Sequence, residues 1–121
     1  MLKIFFHTYN LILLILYLYP GSILGFVVYS DISRQPQLTA DFLTISSNHF
    51  YVFLVLTLIG YQAINNLKYL ILYLSLSSVF LEVSHLIIPN RSFQFSDLFG
   101  NILGVLLPII LISVYKKGTK K

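Results

Sequence analysis

The chain has no cysteine, no tryptophan and one methionine, and only 10% of its 121 residues are charged. Without cysteine there are no disulfides, no thiolate zinc or iron–sulfur ligands and no thiol nucleophile. A soluble domain carries roughly 25% charged residues. The low charge, the 57% apolar content and a mean hydropathy of +0.84 therefore exclude an ordinary soluble globule. Four membrane helices of about 20 residues each would use about 80 positions, leaving loops and ends but no room for a separate soluble domain. The expected organisation is one transmembrane domain over residues 1–121.

What is present divides into apolar runs and short polar connections. The first run, Ile4 to Tyr29, is interrupted at Pro20-Gly21. Proline removes a backbone donor and restricts the residue before it, so this is either one kinked helix or a helix ending at Tyr19 followed by a short interfacial or re-entrant piece. A cleaved signal peptide is the competing reading, disfavoured by the polar His7, Thr8 and Asn10 and by the lack of an Ala-x-Ala pattern. Residues 30–48 form a polar loop. Further spans are predicted over about 49–64, 67–88 and 98–115, with Pro89 ending the third. The fold class is all-α, a multi-pass membrane bundle of four helices. Tyr17, Tyr19, Tyr29, Phe50, Tyr51, Phe93, Phe95 and Tyr115 fall near span ends, where aromatic rings favour the headgroup region.

The formal net charge is +4. Lys116, Lys117, Lys120 and Lys121 form a short basic tail beside an apolar helix, which reads as a membrane-surface anchor; the expected partner is the lipid bilayer and no nucleic acid is expected. With the amino terminus inside, Lys3, Lys68 and the four tail lysines are inner, and only Arg34 and Arg91 are outer. The positive-inside rule then puts both termini in the cytoplasm of a cell-membrane protein.

Few residues can carry chemistry. Glu82 lies about 10 Å along its helix from Pro89; an ionisable group at that depth is expected to face the bundle interior with a partner. The alternative is a carboxyl kept protonated by burial that makes a single interhelical hydrogen bond. His85, three positions on, shares its helix face. Glu82-x-x-His85 has the spacing of carboxylate-bridged metal sites in helix bundles, with Asp97 and His49 as conceivable companions. A single copy does not assign a metal, and no cofactor is implied. Asp97, Asn101, Gly104 and Pro108 form one stripe of the fourth span; Asp97 can equally be a first-turn carboxylate favoured by the helix dipole. Asn101, one turn deeper, needs a cross-helix partner. Gly100 and Gly104 permit close helix approach. Arg91 can hold a phosphate or carboxylate, or pair with Asp97 or a lipid phosphate.

The run Glu82-Val-Ser-His85, then Pro89-Asn-Arg91, then Asp97-Leu-Phe-Gly-Asn101-Ile-Leu-Gly104 resembles the signature of the VanZ-like membrane proteins, Glu-x-x-Gln, Pro-x-Arg and Asp-x-x-x-Asn-x-x-Gly. Asn48-His49-Phe50 is similar to the His-Phe at the start of that family's second helix. The likeness covers residues 45–107. It departs from the family at His85, where glutamine is usual, and at Ile45 and Ser46, where an Asp-Lys pair is common. The resemblance implies a multi-pass helical protein of the cell envelope, its namesake being associated with resistance to teicoplanin, and supplies no established reaction.

The combined expectation is an outward-facing polar site on a monomeric or weakly associating bundle. His49, Glu82, His85 and Asp97 would be its catalytic residues, with Glu82 and His85 handling protons, and Arg91 and Asn101 would bind the substrate. A lipid-linked envelope precursor is the expected ligand class. The alternatives are an intramembrane enzyme acting on a lipid, and a small accessory subunit whose polar residues only lock helices together.

Overall fold

The computed structural model describes residues 1–37, 40–41, 44–89 and 91–119. Asn90, Lys120 and Lys121, which the sequence reading uses, lie outside the described residues. The regular elements are helices: α1 (Leu2–Leu18), α2 (Ile23–Tyr29), α3 (Ser47–Ala63), α4 (Leu67–Val83), extended by a 3-10 turn over Ser84–Leu86, and α5 (Phe95–Thr119).

Local chemistry sets most of these boundaries. Pro20 follows the end of α1, and Gly21 turns the chain at φ +123°, a conformation open to glycine. Ser22 then caps α2 by accepting the Gly25 N–H at 2.9 Å. Asn66 caps α4 through the Tyr69 N–H at 3.1 Å. The break before α2 is sharp, with the two helices inclined at 82°, so the first apolar run is two helices and not one gently kinked span.

Two helices are long and apolar enough to cross a bilayer, Leu67–Leu86 and Phe95–Thr119, and the bent pair adds a third if it is taken as one span. That is fewer than the four of the sequence expectation. The shortfall is α3, and α1 as well where α2 does not continue it: each has 17 residues and reaches about 26 Å against a hydrocarbon core of about 30 Å. The other boundaries also shift. The third span narrows from α-helix to 3-10 helix at Ser84 and stops short of Pro89. The fourth begins at Phe95 and runs past Tyr115, carrying Lys116 and Lys117 into its last turn.

The bundle encloses both an apolar core and most of its polar membrane-depth groups, and its outer surface is apolar. Glu82, Asn101, Ser78, Thr57 and His85 are buried, while Ile4, Leu76, Leu111 and Val114 are among many exposed aliphatic residues. Such a surface suits lipid tails and not water. α3 occupies the centre, packed most extensively on α5 and also on α1 and α4, with Phe53 and Leu56 wholly enclosed.

The helices alternate in direction, and charge segregates accordingly. At one end Phe6 of α1 meets Gly60 of α3 and Leu70 of α4, and Lys116 lies 5.0 Å over the Tyr61 ring. Lys3, Lys68, Lys116 and Lys117 share this end. The opposite end holds Glu82, Arg91 and Asp97.

Candidate functional site

The acidic end is built by α1, α3, α4 and α5 together. Tyr17 is the hub. Its phenol donates to Asn101 Oδ1 at 2.7 Å and lies 2.7 Å from His49 Nδ1. Its ring stacks on His85, with centroids 5.7 Å apart and planes 17° apart, and meets His49 edge-on.

Asn101 is wholly buried and fully engaged. Its Nδ2 donates to the Ser78 carbonyl at 3.0 Å, and Oδ1 lies 2.9 Å from His49 Nδ1. The partners that an amide at this depth needs are therefore backbone and side chains from three other helices.

The two oxygens of Glu82 have different surroundings. Oε1 accepts the Gln94 N–H at 3.2 Å and has His85 Nδ1 at 3.4 Å. Oε2 is buried without a hydrogen-bond partner and lies 3.9 Å from His49 Nδ1. On the other edge of the imidazole, His49 Nε2 is 3.6 Å from Asp97 Oδ1. Asp97 occupies the first turn of α5, as the dipole favours.

Arg91 and His85 also serve the broken end of α1. A helix terminus leaves carbonyls without intrahelical donors, and here they are supplied from across the bundle. Arg91 donates through Nη2 to Leu16 O and through Nε to Tyr19 O, the latter at 3.2 Å. His85 Nε2 donates to Tyr17 O at 3.0 Å. Partial burial pulls the Arg91 pKa below its ordinary value, against the opposing influence of Tyr17, Glu82 and Asp97; a guanidinium stays charged in any case.

Beside this cluster lies a cavity of about 290 Å³, lined by Leu13, Leu16, Ile23 and Val52 among its apolar residues and by Tyr17, His49 and Arg91, with Ser22, Gln35 and Asn48, among its polar ones. Its size is near the lower end of small-molecule pockets, about 300–1,000 Å³. A mainly apolar chamber that also presents an imidazole, a phenol and a guanidinium suits an amphiphile.

His49, Glu82, His85, Asp97 and Asn101 thus converge, and Arg91 sits at the edge of the same cluster. Sequence reasoning assigned Tyr17 to the headgroup region, yet it is buried at the centre. Phe50, also read as an anchor, is buried. A signal for Tyr17 was available: Phe6, Asn10, Leu13 and Tyr17 recur at helical spacing and form the buried face of α1. Ser78 and the Gln94 amide contribute through backbone groups, for which side-chain identity carries no signal. No family model matches the chain, and neither a curated protein nor a solved structure matches it.

Proposed function

We propose that this chain is a VanZ-like protein of the cell membrane that crosses the bilayer four times, with both termini in the cytoplasm. Its outward-facing polar site holds an anionic amphiphile, such as a lipid-linked envelope precursor. α3 serves as a short pass because its neighbours, not lipid, cover most of it. The segregation of Lys3, Lys68, Lys116 and Lys117 to one end supports the orientation.

One observation carries the ligand class: the cavity of about 290 Å³ has a mainly apolar wall into which Arg91, His49 and Tyr17 also project polar groups. An acyl or prenyl segment lies against Leu13, Leu16 and Val52, and the headgroup takes the Arg91 charge. Two Arg91 donors serve the carbonyls of α1, leaving the rest of its five N–H groups for an anion.

Mass spectrometry of lipids retained by the full chain in nanodiscs tests this reading. The expected result is enrichment of an anionic amphiphile over the bulk lipid. Val52→Trp fills the cavity and should abolish it, while Leu111→Trp on the lipid-facing surface should not. Equal retention by both variants would remove the cavity from the account.

A catalytic version of the same reading rests on His49 and His85, whose Nδ1 atoms lie 3.9 and 3.4 Å from Glu82 oxygens and would have to close to hydrogen-bond distance for proton transfer. It requires turnover of a labelled lipid that disappears in Glu82→Gln and His85→Ala at unchanged protein level. Parallel loss of abundance and function in Glu82→Gln and Asp97→Asn would instead favour an accessory subunit.

A further inference from the structure

The hydrogen-bond directions around Asn101 fix the chemistry of His49. Asn101 Nδ2 donates to the Ser78 carbonyl, and a carbonyl can only accept, so the amide orientation is determined. Oδ1 therefore faces His49 Nδ1 at 2.9 Å and is itself an acceptor. The proton between them belongs to Nδ1. In the neutral imidazole the lone pair is then on Nε2, which points to Asp97 Oδ1 only 3.6 Å away. Two acceptors face each other.

Glu82 presents the same deficit from the other side. The Gln94 N–H serves Oε1, with His85 Nδ1 3.4 Å away, but Oε2 is fully buried and no donor reaches it. A buried carboxylate oxygen without a donor has lost its hydration with nothing in its place. One nitrogen of His49 and one oxygen each of Glu82 and Asp97 lie within 4.8 Å of one another.

A second proton on His49 resolves only part of this. It would bridge Nε2 to Asp97, but the Nδ1 proton remains committed to Asn101 and Tyr17, and Oε2 stays without a partner. A divalent cation resolves all of it. It accepts the Nε2 lone pair and one oxygen from each carboxylate, and its two positive charges balance their two negative ones in a low-dielectric interior.

We propose that His49, Glu82 and Asp97 form a divalent-metal site, with His49 binding through Nε2 and Asn101 as the outer-shell residue that sets its tautomer. One imidazole with two carboxylates is a donor set for zinc or manganese. Tetrahedral bonds of 2.0–2.2 Å place ligand atoms about 3.3 Å apart, so the His49–Asp97 pair at 3.6 Å closes by a few tenths of an ångström, and the Glu82 carboxylate, whose Oε2 lies 3.9 Å from Nδ1 of the same ring, swings toward the Nε2 edge. Three protein ligands leave a position for water or for an oxygen of a bound anion. His85, which the Glu-x-x-His spacing would make a ligand, has Nε2 on the Tyr17 carbonyl and Nδ1 toward Oε1, and is a positioning residue for Glu82.

Isothermal titration of the chelator-treated full chain in nanodiscs, with zinc and with manganese, tests the site. The expected result is one ion per chain for at least one of the two metals. Glu82→Gln, Asp97→Asn and His49→Gln should each weaken binding by more than about 10-fold, the smallest loss that even an outer-shell change produces. Cobalt added to the unmodified protein should give d–d absorption of a coordinated ion, a readout that does not depend on any variant folding. Absence of stoichiometric binding by the unmodified chain, or binding that survives all three substitutions, overturns the site. Metal titration needs no amphiphile and lipid retention needs no added metal, so this proposal and the lipid-binding reading fail separately.

Discussion

Gly104 of α5 lies so close to Phe50 of α3 that a Cβ on the glycine would stand 2.6 Å from the Phe50 carbonyl oxygen and 2.8 Å from Phe53 Cβ. One turn earlier, a Cβ at Gly100 would be 2.5 Å from Ser46 O and 3.1 Å from His49 Cβ. Both contacts involve backbone that cannot rotate aside. The two glycines therefore set the α3–α5 separation, and that separation sets the distance from His49 to Asp97 and Asn101. Gly104→Ala should cost about 1–3 kcal/mol, the usual penalty of overpacking. Gly100→Ala should in addition displace His49. Gly118→Ala, where nothing lies within 4 Å of the new carbon, should be neutral. Unfolding midpoints by circular dichroism in detergent check the order, and equal midpoints for all three variants would contradict it.

Tyr17→Phe isolates the hydroxyl at the hub. The ring keeps its stack on His85, so packing is preserved, but Asn101 Oδ1 loses the donor at 2.7 Å and His49 Nδ1 loses its neighbour. Removing one partner from a buried polar pair costs about 1–3 kcal/mol. The expected signature is a lowered unfolding midpoint together with a changed His49 imidazole resonance. A midpoint shift without any change at His49 would mean that the hydroxyl serves packing alone.

The same residue shows where the sequence was readable. Helical class, a non-helical connection between α2 and α3 and the stop before Pro89 all follow from hydropathy and backbone chemistry, which act locally. The convergence of Glu82, His85, Asp97 and Asn101 was also foreseeable, because charge and amide groups at depth must find each other in an apolar bundle. Tyr17 was not read correctly because a tyrosine near a span end has two physical solutions, an interfacial anchor and a buried hydrogen-bonding hub. Only the helix face distinguishes them. The structural use of Arg91 depended on the α1 terminus, whose free carbonyls exist only once the helix breaks at Pro20. The second span reads as short in the sequence and its helix begins two residues earlier, at Ser47; hydropathy cannot say whether protein or lipid covers such a helix.

Asp31 gives a prediction outside the bilayer. Its carboxylate accepts from the Ser33 hydroxyl at 2.6 Å and from the Ser33 N–H at 3.0 Å. These bonds, the hydroxyl first, lower its pKa below the ordinary aspartate value. Because the folded value is depressed, the stabilisation is present above the unfolded pKa and is lost as pH falls through the folded one. The side chain is fully exposed, so the effect on global stability is small and the local titration is the useful readout. Carboxyl-carbon NMR should place the Asp31 midpoint below that of an unbonded aspartate. Ser33→Ala, which keeps the backbone donor, should move it part of the way up. An unchanged midpoint in that variant would assign the shift elsewhere.

The 82° bend between α1 and α2 predicts how the first apolar run meets the bilayer. If α2 continued the span, its seven residues would change depth by about 10 Å. A helix turned nearly across α1 instead stays at one depth, with the exposed Phe26, Val27 and Val28 toward the acyl chains and the Ser22 end tied to Ile32 by a backbone hydrogen bond of 2.7 Å. The absence of cysteine from the whole chain lets each α2 position be labelled singly without background. Spin labels at positions 23–29, scored for collision with oxygen and with a water-soluble nickel chelate, should show a helical period and no steady gradient. A steady rise of oxygen accessibility along those positions would make α1 and α2 one crossing, and the interfacial assignment of α2 would be lost.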